Sequence, residues 1–161
     1  MKPELINKSD NEIVLDSIIS CISAIDCNDL FSTHLEESQS VQKHIVTKFQ
    51  NRVKSALSNE VPNIDWSTEH CPSVQSRDSI DIFGKGKDFV VIIELDKTRA
   101  DQIAKKFVSR MAIVQNKVIY FISLCYPGTK NMSESECVKY FDYCLNIARR
   151  LQSKYAGFII R

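Results

Sequence analysis

Three acidic residues stand where acids are unusual. Asp81 lies between Ile80 and Ile82 in the segment S-I-D-I-F, and Glu94 and Asp96 close the run F-V-V-I-I-E-L-D. A strand sends alternate side chains to one face, so Glu94 and Asp96 point the same way while Leu95 and Lys97 point the other. A carboxylate among β-branched neighbours is costly to bury without a partner. The segment Gly84-Lys85-Gly86-Lys87-Asp88 between the two runs suits a hairpin turn and makes them neighbours, although it leaves more than one register open. In a register that sets Asp81 across from the Glu94 end, the three carboxylates converge. They then require a counter-cation, and an all-oxygen cluster suits a hard divalent ion, Mg2+ or Mn2+. Such an ion lowers the pKa of a bound water and stabilises charge on a phosphoryl group, which makes phosphodiester hydrolysis the natural chemistry.

The elements that position these residues follow from hydrophobic period. Residues 1–10 read as a polar, frayed end. Ile13, Val14, Ile18, Ile19, Ile22 and Ile25 recur at near-helical spacing after a cap at Ser9 or Asp10. A second helix is expected after Ser32 and Thr33, running to about Leu57 and ended by Asn59 to Pro62. The period then shifts from 3.6 to 2. Strands are expected at 63–68, 79–83 and 89–95, the last buried on both faces. Thr98 with Asp101 resembles a capping box for a helix to about Ala112, and 117–125 is a further buried strand closed by Pro127 and Gly128. Ser133 with Glu136 opens a final helix, and 157–160 is a last strand. The order implies an α/β fold, a mixed β-sheet flanked by helices on both faces. An N-terminal helical extension over 1–34 would precede a single globular unit over 35–161.

On these residues the chain resembles the PD-(D/E)XK, or restriction-endonuclease-like, nucleases. That family carries an acid near the start of its second core strand, then an acid-X-Lys triplet on the third strand with a helix directly after it. Asp81, then Glu94-Leu95-Asp96-Lys97, then the helix from Arg99 match the layout over about residues 35–160. The resemblance implies a restriction-endonuclease-like core and a Mg2+- or Mn2+-dependent endonuclease acting on DNA, with RNA left open. Asp81 and Glu94 are then metal ligands, and Asp96 is a third ligand or a substitute for the family's lysine. The chain departs from the pattern at 96, where the family has lysine; Lys97 is one residue late and faces the other way. Lys106 and Lys105 on the following helix are candidates to replace it. Gln102, one turn before Lys106, shares its face and is a further candidate site residue. Glu37 would be the family's additional acid. The family's habit of cutting two strands implies a homodimer. The same departure supports the alternative, a catalytically inactive relative that binds nucleic acid or protein as a subunit of a restriction or defence system.

The 21 Lys and Arg residues against 20 acids give a net charge of +1, so any polyanion must be held by a local patch. Lys97, Arg99, Lys105, Lys106 and Arg110 form such a patch if they adjoin the carboxylates, and Lys85 and Lys87 in the hairpin turn offer further contacts to a DNA backbone. The turn lacks the spacing of a phosphate-binding loop. His34, His44 and His70 have no Ser or Cys partner at diagnostic spacing, so a Ser/His/Asp or Cys/His hydrolase is not supported. Six cysteines without a C-x-x-C pair read as reduced thiols. At 161 residues, 43% hydrophobic and 25% charged, the chain supports one core. The N-terminus has no apolar leader and no run spans a bilayer, so a cytoplasmic protein without membrane contact is expected.

Overall fold

A computed structural model describes residues 1–72, 79–114, 117–126, 129 and 131–161. Its strands are β1 (Pro3–Lys8), β2 (Asp65–His70), β3 (Ile80–Lys85), β4 (Phe89–Asp96), β5 (Val118–Cys125) and β6 (Lys154–Ile160). Its α-helices are α1 (Ile13–Ser23), α2 (Asn28–Phe31), α3 (Gln39–Glu60), α4 (Asp101–Ile113) and α5 (Glu134–Arg150), with a 3-10 turn at His34–Glu36. The strands form one mixed sheet in the order β1-β6-β5-β4-β3-β2. β4, β5 and β6 are parallel; β1 on one side and β3 on the other run antiparallel to them, and β2, antiparallel to β3, runs the same way as β4.

The connections explain the layers. Parallel neighbours need a crossover, and the two crossovers, β4-α4-β5 and β5-α5-β6, advance the same way across the sheet, so one hand puts α4 and α5 on one face. Phe107, Phe121, Phe141 and Tyr155 fill that layer. The other face is covered by α1, α2 and α3, through Leu15, Ile22, Phe49, Val53 and Leu57 against Val91, Ile93, Ile122 and Phe158. With both faces covered, every residue of β4 from Val90 to Asp96 is buried, the two acids included.

The expected helices and strands form, with four corrections. Residues 3–8 are not frayed: they pair with β6, Pro3 opposite Ile160 and Lys8 opposite Ala156. Hence 1–34 contributes an edge strand as well as α1 to the same sheet and core. Ser9 does not cap α1, because its hydroxyl accepts the Tyr155 amide; the Glu12 carboxylate accepts from Leu15 N–H instead. The single helix expected from Thr33 is broken at Glu37, whose backbone is extended (ψ 158°), and α3 is capped by Ser38, which accepts from Val41 N–H. Thr98 does not cap α4, whose N-cap is Ala100, with no side-chain bond. Ser133 caps α5 as expected, accepting from Glu136 N–H. Pro127 and Gly128 lie outside the described residues. The six cysteines are free, and only Cys71 is exposed.

Candidate functional site

The hairpin register settles the position of Asp81. Lys85 pairs with Val90 and Ile82 with Ile93, which brings the start of β3 beside the end of β4. There the ladder gives way to a side chain: Leu95 N–H donates to Asp81 Oδ2 at 2.7 Å. Asp81 Oδ1 accepts from Gln50 Nε2 of α3 at 2.9 Å. From the opposite layer α4 supplies Lys106 and, one turn later, Arg110.

Lys106 Nζ sits at the point on which the carboxylates converge. It donates to Leu95 O at 2.7 Å and to Asp81 Oδ2 at 3.3 Å. It also pairs with Glu94 Oε2 at 3.0 Å and Asp96 Oδ1 at 3.2 Å. Arg110 holds the other side of Glu94, with Nε 2.8 Å from Oε1 and Nη2 donating to Ser79 O at 2.7 Å. Glu94 and Asp96 side chains are 1% and 5% exposed, whereas Lys106 keeps 26%, so the cluster meets water through Lys106 and the half-buried Asp81.

Among the described residues, two cations thus face three carboxylates in a poorly solvated place. Burial pushes the Glu94 carboxyl up to about 7, with Asp81 adding to the rise and Lys106 and Arg110 opposing it. Burial likewise raises Asp96. For Lys106 burial disfavours the charge, but Asp96, Glu94 and Asp81 together outweigh it and hold the ammonium protonated. Two oxygens stay short of a hydrogen bond: Glu94 Oε2, which has its charge partner in Lys106 but not a hydrogen-bond direction, and Asp96 Oδ2.

The structure therefore brings together Asp81, Glu94, Asp96 and Lys106 of the residues expected from sequence. Gln102 is half-buried and makes no side-chain hydrogen bond among the described residues. Glu37 is exposed ahead of α3, thirteen residues before Gln50, or about 20 Å along a helical rise. From that helix it is Gln50 that reaches Asp81. Arg110 is not a surface phosphate contact, since it is 6% exposed and engaged with Glu94. Arg99 is exposed but clamped by Asp101 at 2.9 and 2.7 Å. Lys105 is exposed and Lys97 half-buried; burial, and after it the Lys97 charge, hold the His34 imidazole below its usual range. Lys85 is four residues from Asp81 along β3, about 13 Å at 3.3 Å per residue, and Lys87 lies beyond it in the turn. The basic residues do not form one patch around the carboxylates.

Sequence reasoning missed Gln50 and the inward turn of Arg110. Both had a signal. Gln50, Val53 and Leu57 form one helical stripe, as do Ile103, Phe107 and Arg110, and a polar residue in an apolar stripe needs a buried partner. A groove of about 1150 Å³ between α1 and α3, lined by Cys21, Ala24, Ile25 and Ala56 among others, contains none of the cluster residues.

As they stand, no three acidic, His or Cys side chains among the described residues are arranged to hold a metal ion. The donors are nonetheless of the right kind: carboxylate oxygens, two of them buried without a hydrogen bond, around one point filled by a cation. Among the described residues, no helix is long and apolar enough to cross a membrane. No protein-family model matches the chain, and no curated protein matches it.

Proposed function

We propose that the protein is a divalent-metal-dependent nuclease that hydrolyses DNA phosphodiester bonds, with a site of the restriction-endonuclease-like type. The observation that carries this reading is the convergence of Asp81, Glu94 and Asp96, from two strands, on the single ammonium of Lys106 supplied by α4. A structural ion pair has no need of three carboxylates, and burying them is expensive. Asp81 and Glu94 would hold Mg2+ or Mn2+, with Asp96 the third acid. The ion, when bound, supplies an activated water and charge stabilisation at phosphorus.

The chain's own residues do the rest. Gln50 and Leu95 N–H fix the Asp81 carboxylate, and Arg110 fixes Glu94, so both acids are preorganised. Lys106 takes the part that the resembled family gives to its triplet lysine: an ammonium on a flexible stem that reaches the site from α4, able to stabilise negative charge or carry a proton. Lys105 and Lys97, with Arg99 held by Asp101, are the remaining basic residues close in sequence to the site that have solvent exposure to meet a phosphate backbone.

The second reading, an inactive relative that binds nucleic acid or protein, is favoured by the same lysine, since an ammonium already occupies the point between the acids. Nicking of supercoiled plasmid by wild type and Glu94→Ala in Mg2+ or Mn2+ separates the two. The nuclease reading expects cleavage by wild type and at least a hundredfold loss in Glu94→Ala. Equal inertness of both proteins, with DNA still bound, rejects it.

A further inference from the structure

We propose that Lys106 is a tethered cation that holds the divalent-ion position and must leave it for the ion to enter, so that metal loading and insertion of Lys106 exclude one another. This rests on the metal-dependent reading above and adds to it a built-in competitor.

Four oxygens surround Lys106 Nζ at 2.7 to 3.3 Å: Leu95 O, Glu94 Oε2, Asp96 Oδ1 and Asp81 Oδ2. An ammonium has three protons, and here two of the four contacts are hydrogen bonds. The ammonium therefore offsets part of the site's negative charge without satisfying its acceptors. The buried Glu94 Oε2, 3.0 Å from Nζ, and the buried Asp96 Oδ2 have no hydrogen bond, so the site keeps unused acceptors. A Mg2+ ion would draw its ligands to about 2.0–2.1 Å, closer than any of these oxygens now approaches the nitrogen. The two cations cannot share the point, because both would press on the same carboxylates at less than contact distance.

The anatomy of Lys106 permits its exit. Its side chain is the most exposed in the cluster at 26%, and its four-carbon stem swings without moving α4. The anchors of the acids are independent of it: Gln50 and Leu95 N–H hold Asp81, and Arg110 holds Glu94. The ligand frame thus stays in place when the ammonium departs. Affinity for the ion is lowered by the work of expelling Lys106.

The test titrates MgCl2 and MnCl2 by calorimetry into wild type and Lys106→Met. The expected result is at least tenfold tighter binding to Lys106→Met. Equal or weaker binding to that variant overturns the inference while the metal reading stands; no binding to either protein overturns both. A second measurement needs only the wild type. Lysines are reductively methylated with formaldehyde, with and without 10 mM Mg2+ (roughly a thousandfold excess over protein), and Lys106 is read by peptide mass spectrometry. The expected result is a severalfold rise at Lys106 on loading, with Lys105 unchanged. No rise, or a fall, overturns the inference even if Lys106→Met does not fold.

Discussion

Two charge networks in this molecule use the same residue types to opposite effect. Arg161, at the end of β6, binds Glu4 of β1 at 2.6 and 2.8 Å and Glu134 of α5 at 2.6 Å, with all three side chains 43–55% exposed. Lys106 and Arg110 bind Asp81, Glu94 and Asp96, with the two strand-end acids almost fully buried. Distances in the two networks are alike; the water is not. The outer network is hydrated and screened, so it steers chain ends without much stabilising them. The inner one has given up most of its hydration, so each member depends on the others. That dependence costs stability and gives a place where the charge of a bound ligand counts for most.

The largest expected break of this contrast is removal of Lys106. In the absence of divalent metal, Lys106→Met should lose about 3–5 kcal/mol in urea unfolding, because the three carboxylates lose the ammonium on which they converge. Removal of Arg161, by contrast, should leave the urea midpoint nearly unchanged and insensitive to salt. A comparable loss for both would erase the distinction.

A pH effect of similar kind follows from Glu94. Its carboxyl is raised from 4.5 to about 7 in the folded protein, so the folded state holds this proton more tightly than the unfolded chain does. The stabilisation is fully present below about pH 4.5 and is lost as pH rises through about 7, on the order of 3 kcal/mol for this group. Stability curves against pH should show that decline in wild type and a flatter course in Glu94→Gln.

The smallest of the inner effects is expected at Gln50. Gln50→Ala leaves Asp81 Oδ1 without its 2.9 Å donor and should cost about 1–3 kcal/mol by thermal or urea unfolding, with cleavage reduced through a loosened Asp81. A loss of activity with no change in stability would mean that Gln50 touches substrate instead.

How far these features were legible depends on the range of the interactions behind them. The convergence of Asp81 and Glu94 could be read because a short turn joins their strands and alternation assigns their faces. The same hairpin logic, carried one step further, also places Lys85 and Lys87 at the far end from the acids. The choice of Lys106 over Lys105 is a matter of helical phase: one residue turns the side chain by about 100°, and only the stripe Ile103, Phe107, Arg110 says which lysine faces the sheet. Strand β1 was hidden for a different reason. P-E-L-I-N-K has no clean alternation, and its partner is β6 at the other end of the chain, so nothing local marks it. Gln50 was hidden likewise, because its partner Asp81 is 31 residues away on another element.

In the proposed reading, Asp81, Glu94 and Asp96 form one cation site that Lys106 fills until a divalent ion arrives. A crystal structure of the protein soaked in MnCl2, with anomalous scattering measured, tests it most directly. The account predicts a single manganese peak bound by Asp81 and Glu94, with Lys106 Nζ turned away from the three carboxylates. Lys106 still seated between Asp81, Glu94 and Asp96 at millimolar Mn2+, with no peak beside them, would contradict it.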